Sequence, residues 1–108
     1  MKKKSISFRV EIDENNLPVN IIMNADNNEK KDDPMKALLL STWSARRKET
    51  LKIDLWTKDM QVHDMFILYH QTLSSLANSL ERSTGQHKLA DAMRDYCEFF
   101  AKETKIHS

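Results

Sequence analysis

Hydrophobic and polar residues alternate with a period of two in three stretches of this chain. In residues 5–13, Ile6, Phe8, Val10 and Ile12 point one way, and Ser5, Ser7, Arg9, Glu11 and Asp13 the other. That pattern predicts a half-buried strand. Glu14, Asn15 and Asn16 follow, and asparagine tolerates the left-handed backbone a reversal needs. Beyond the turn, Leu17, Val19, Ile21 and Met23 share a face, with Asn20, Ile22 and Asn24 opposite. Pro18, which has no N–H to give a ladder, marks this second strand as an edge. The two predict an antiparallel hairpin. The third stretch is residues 50–56, where Leu51, Ile53 and Leu55 alternate with Lys52, Asp54 and Trp56.

Between and after the strands the period lengthens. Asp33 and Pro34 read as a capping carboxylate and a first-turn proline. Met35, Leu38, Leu39, Thr42 and Trp43 recur at helical spacing, which predicts a helix from 33 to about 46 or 47. Arg46, Arg47 and Lys48 would then sit at its C-terminal end, where cations complement the helix dipole. A longer stripe runs through Val62, Met65, Phe66, Tyr69, Leu73, Leu76, Ala77 and Leu80, predicting a helix over about 61–83. Gly85 follows where a left-handed cap is wanted, so a positive φ is expected there. Leu89, Met93, Tyr96, Cys97 and Phe100 carry a last helix, and the two helices read as an antiparallel hairpin.

The expected architecture is therefore α+β in the order ββαβαα. A three-stranded antiparallel sheet would have residues 5–13 at its centre, one crossover helix, and the helical hairpin against the sheet. Phe8, Val10, Ile53, Leu55, Leu73, Leu76 and Phe100 would be buried together. One domain is expected over residues 1–108, with 1–4 and 104–108 frayed. Residues 26–33, DNNEKKDD, read as a polar loop without the spacing or central glycine of a calcium site.

Composition narrows the function classes. Among 108 residues, 17 basic and 16 acidic side chains leave a formal net charge of +1, so nothing draws the chain strongly to nucleic acid or anionic lipid. The lone cysteine, Cys97, asks for no oxidising compartment, and its place on an apolar stripe predicts a buried structural thiol. Lys2 to Lys4 lead into SISFRVEIDE rather than an apolar run, so no signal peptide is read. No stretch approaches the roughly 20 apolar residues of a membrane helix. The expected location is the cytoplasm. There is one glycine, whereas phosphate-binding loops and nucleophile elbows rely on glycine for close backbone approach.

The candidate chemistry is sparse. His63 and His70 are two helical turns apart, roughly 10 Å, too far to share a metal, and solvated surface histidines are the expectation. Asp54, Asp59 and His63 cluster at a strand-to-helix junction and form the enzymatic alternative, an acid–base pair without a visible nucleophile. Asp91, Asp95 and Glu98 read as a solvated helix face, and the six methionines as packing. Ile22 and Trp56 fall opposite the main alternation. Together with Arg9, Lys52 and Asp54 they form the candidate partner-binding surface, on a sheet face left open. The occupant would be a protein, either a second copy or another component. A further alternative is single-stranded RNA, stacked on Trp56 with Arg9 and Lys52 on its phosphates. No catalytic residue, metal ligand or cofactor is assigned.

The strings TLKIDLWTKDM, FILYHQTLSSLANSLERSTG and MRDYCEFFAK resemble the gliding-motility protein GldC family of gliding bacteria. The likeness extends from KSISFRVEIDENNLPVNI to the end of the chain. It implies a small soluble accessory of the gliding machinery, without enzymatic activity or cofactor, and it lends no active-site residues.

Overall fold

The computed structural model describes residues 1–26 and 33–106. Five of the seven elements below match the expected ones in position and kind, and the other two stand where one helix was expected. The chain forms two compact units, residues 1–60 and 61–108, and each is described by itself. Most of the polar loop, residues 27–32, lies outside the described residues, as do residues 107 and 108 of the expected frayed end.

The first unit holds two antiparallel sheets. In one, β1 (Ile6–Ile12) pairs with β2 (Pro18–Ala25), and β2 with a short β3 (Asp33–Met35). The β1–β2 hairpin is the expected one. Its turn is built by Asp13, whose Oδ1 accepts from the N–H groups of Asn15 and Leu17 at 2.9 and 3.0 Å. Asn16 takes the left-handed conformation, φ 63°. Phe8 faces Met23, and Val10 faces Ile21, which in turn faces Met35. Ile21 is completely buried, at the middle of this row. On the opposite side Arg9, Ile22 and Pro34 form a row of their own.

Two expectations are corrected here. Residues 5–13 supply an edge strand, not the centre, because β2 has neighbours on both sides. The crossover helix does not exist: Asp33–Met35 is β3, and Ala37–Ser44 is β4, which pairs with β5 (Glu49–Trp56) in a second, two-stranded sheet. The reason is in the residues. ALLLSTWS is a short apolar run that satisfies either period, and such runs are decided by what they pair with. TLKIDLW supplies a matching strand in register from Ala37↔Trp56 to Ser44↔Glu49. Pro34 then sits in an edge strand, where proline is tolerated. Arg46, Arg47 and Lys48 cap no helix but form the hairpin tip, closed by the Lys48 N–H on the Ser44 carbonyl oxygen at 2.8 Å, with Lys48 at φ 53°.

The segment after β5 fastens the two sheets to each other. The Thr57 N–H donates to the Lys36 carbonyl oxygen at 2.8 Å and the Lys58 N–H to that of Pro18 at 3.0 Å. Lys58 Nζ reaches Asp13 Oδ2 at 2.9 Å, and Lys36 Nζ reaches Asp59 Oδ2 at 2.8 Å. Thr57 is buried, and its hydroxyl donates to Asp59 Oδ1 at 2.6 Å. The lysines hold the carboxyls of Asp13 and Asp59 below the usual carboxylate range.

The second unit is the expected helical hairpin, α1 (Val62–Thr84) and α2 (His87–Thr104). Small side chains, Ala77, Ala90 and Cys97, are buried where the helices meet, as expected for the thiol. Phe100 lies edge-on to Phe66, ring centroids 6.3 Å apart, and stacks on His70 at 6.2 Å. At the far end Arg94 binds Glu81 at 2.7 Å, Asn78 at 3.0 Å and Asp91 at 2.8 Å. His87 Nδ1 lies 2.8 Å from the other Glu81 oxygen. Arg94, then His87, hold the Glu81 carboxyl down at about 2. Of the residues expected to be buried together, Ile53 and Leu76 are each 49% exposed and the rest are half-buried.

Gly85 has φ 72° and closes α1 through its N–H on the Glu81 carbonyl oxygen at 2.9 Å, as expected. A Cβ built there meets nothing within 4 Å, so only the backbone conformation penalises a larger residue. Gly85→Ala is expected to lower stability by about 1–2 kcal/mol, read from the thermal transition followed by circular dichroism. A raised Tm would contradict it.

Candidate functional site

The β4–β5 ribbon carries apolar residues on both faces. In an antiparallel pair, directly opposed residues share a face. One face therefore holds Ala37 with Trp56, Leu39 with Asp54, Ser41 with Lys52 and Trp43 with Thr50. The other holds Leu38 with Leu55, Leu40 with Ile53 and Thr42 with Leu51. A single two-stranded ribbon has no interior to hide both. Trp43 is 67% exposed, Trp56 48% and Leu51 42%. Trp43 and Trp56 stand at opposite ends of one face, with Ser41, Lys52, Leu39 and Asp54 between them, and Leu51 is on the other face.

The five expected partner-binding residues are divided between the sheets. Arg9 and Ile22 are cross-strand neighbours in the β1–β2–β3 sheet, with Ile22 half-buried. Lys52, Asp54 and Trp56 lie together on one face of β5. The single open face expected to unite Ile22 and Trp56 is thus replaced by two sheets. Nor do Arg9 and Lys52 flank Trp56 on one sheet, the arrangement an RNA platform would use. Lys52 Nζ and Asp54 Oδ2 are 3.9 Å apart and both well exposed, a loose pairing along the strand. A shallow concavity of about 260 Å³ lies against Trp56, lined also by Leu17, Pro18, Asp54, Leu55 and Lys58.

Trp43 and Leu51 were not assigned to this surface from the sequence. A helix over residues 33–47 places Trp43 on a helical stripe and leaves no partnership with Thr50. ALLLSTWS has no strict alternation of polar and apolar residues, so its local spacing carries no signal for the strand.

The residues of the enzymatic alternative are held as follows. The Asp59 carboxylate is bound by Lys36 and Thr57, and its proton affinity is lowered first by the Lys36 hydrogen bond and then by that of Thr57. Asp54 faces Lys52. His63 belongs to the helical unit, where it lines a groove of about 570 Å³ with His70, Gln71 and Lys105. His70 is packed on Phe100 rather than fully solvated. Among the described residues no three His, Cys, Asp or Glu side chains are grouped to hold a metal ion. No helix among them is long and apolar enough to cross a membrane.

A family model described as gliding motility-associated protein GldC-like matches residues 18–106 of the chain. No curated protein and no solved structure matches it.

Proposed function

The chain belongs to the GldC-like family of gliding motility-associated proteins, and from that premise we propose that it is a non-enzymatic accessory of the gliding apparatus that acts by binding protein. The observation that carries this reading is the exposure of two tryptophans, Trp43 and Trp56, at the two ends of one face of the β4–β5 ribbon. Aromatic residues supply much of the binding energy where proteins meet. Asp59, one carboxylate of the enzymatic alternative, is held by Lys36 and Thr57, which supports binding over catalysis. The working compartment is the cytoplasm, since the lone thiol calls for no oxidising one.

The test is a variant combining Trp43→Ala and Trp56→Ala, with Ile22→Lys as a separate variant for the other sheet. Folding is checked by circular dichroism, partners are captured by crosslinking and affinity purification from gliding cells, and gliding is scored. The tryptophan variant is expected to fold, to weaken partner binding by about 2 kcal/mol or more, and to impair gliding. A folded tryptophan variant with an unchanged partner set and normal gliding rejects the reading. If only Ile22→Lys impairs them, the binding surface lies on the β1–β2–β3 sheet instead.

A further inference from the structure

We infer that β5 pairs edge to edge with β5 of a second copy of this chain, about a two-fold axis midway between Ile53 and its own copy. The inference rests on the reading of the β4–β5 ribbon as an interaction surface. Three observations carry it: an open edge, the residue order along it, and the ribbon's thinness.

The outer edge of β5 has no strand against it among the described residues. Its ladder is to β4 alone, and the next backbone bond outward is the one from Lys58 to Pro18 beyond the strand end. Such an edge presents unpaired N–H and C=O groups to any strand that fits. The ribbon has only two strands, and a sheet of three or more shares its apolar face among more neighbours. Mating two copies yields a four-stranded sheet, β4–β5–β5–β4.

The residue order selects the register. A two-fold axis perpendicular to an antiparallel sheet must pass midway between a residue and its own copy, because opposed side chains share a face. Centred on Lys52, the pairing sets that lysine against its own copy. Centred on Asp54, it sets two aspartates together. Centred on Ile53, it places Lys52 opposite Asp54 twice, Ile53 opposite Ile53, and Leu51 opposite Leu55 twice. The loose pairing of Lys52 with Asp54 at 3.9 Å within one strand is then exchanged for two cross-strand pairs. Ile53 and Leu51, both about half exposed, gain aliphatic neighbours. The same two charges exclude the adjacent registers, so they specify the match as well as stabilise it.

Sedimentation velocity on the full chain tests this, with folding followed by circular dichroism. The wild type is expected to dimerise in the micromolar range. Lys52→Glu and Asp54→Lys, each placing like charges opposite one another twice, are expected to weaken the dimer about tenfold or more. Combining Lys52→Glu with Asp54→Lys exchanges the charges and is expected to restore the wild-type affinity. A wild type that stays monomeric, a dimer indifferent to either single reversal, or a folded double variant that fails to recover each overturns the inference. Because this reads purified protein alone, it separates from the cellular test above. Lost dimerisation with tryptophan-dependent gliding removes only the second copy, and a charge-dependent dimer with tryptophan-independent gliding removes only the binding function.

Discussion

Ile21→Ala is expected to destabilise the first unit by about 2–5 kcal/mol, out of the roughly 5–15 kcal/mol a domain of ordinary stability possesses. Ile21 is fully buried at the middle of the central strand, opposed by Val10 on one side and Met35 on the other. Truncation removes apolar area from both contacts at once. The neighbouring strands are held by their ladders and cannot close the gap, so a cavity remains. Ile22, one residue on, faces the other way beside Arg9 and Pro34 and is only half-buried, which makes Ile22→Ala the matched control. Urea unfolding of both variants is the measurement. Equal, small losses would mean that Ile21 does not centre a packed row.

Ala77→Leu is expected to destabilise the helical hairpin by about 1–3 kcal/mol through overpacking. Ala77 is completely buried on α1, and its counterparts on α2 are the equally small Ala90 and the nearly buried Cys97. Helix axes separated by small side chains approach closely, and three added carbons at that seam must push them apart. The clasp at Glu81 and Arg94 resists the displacement, since its 2.7 Å hydrogen bond depends on the same separation. Leucine is a good helix former, so propensity does not explain a loss. Thermal unfolding monitored at helical wavelengths reads it, and an unchanged or raised Tm would show that the seam has room.

Elements whose period had no rival were readable from the chain. Strict alternation over residues 5–13, an asparagine turn and a second alternating run left the β1–β2 hairpin no competitor. The apolar stripe of α1, sustained from Val62 to Leu80 and followed by the only glycine, was equally unambiguous. Residues 33–47 were different. Met35, Leu38, Leu39, Thr42 and Trp43 satisfy a helical stripe, while the same letters satisfy a strand once a partner is at hand. That partner, residues 49–56, lies beyond a four-residue tip, and pairing energy is not visible in local spacing. The error carried forward into the site. Without β4, β5 has only the β1 edge to pair with, which places Ile22 and Trp56 in one sheet. Trp56, Lys52 and Asp54 do share one face of β5, because they are spaced by two along one strand, and that relation is local.

The single thiol in the helical unit has a consequence of its own. Cys97 is buried between the helices, and the chain has no other cysteine. An alkylating reagent attacks an accessible thiolate, so under native conditions it reacts only with molecules in which that seam has opened. The labelling rate, divided by that of the same thiol in the unfolded chain, is the open fraction itself. No competing thiol dilutes the signal, and the sheet unit contributes nothing to it. The chain thus carries a built-in clock for the breathing of α1 against α2.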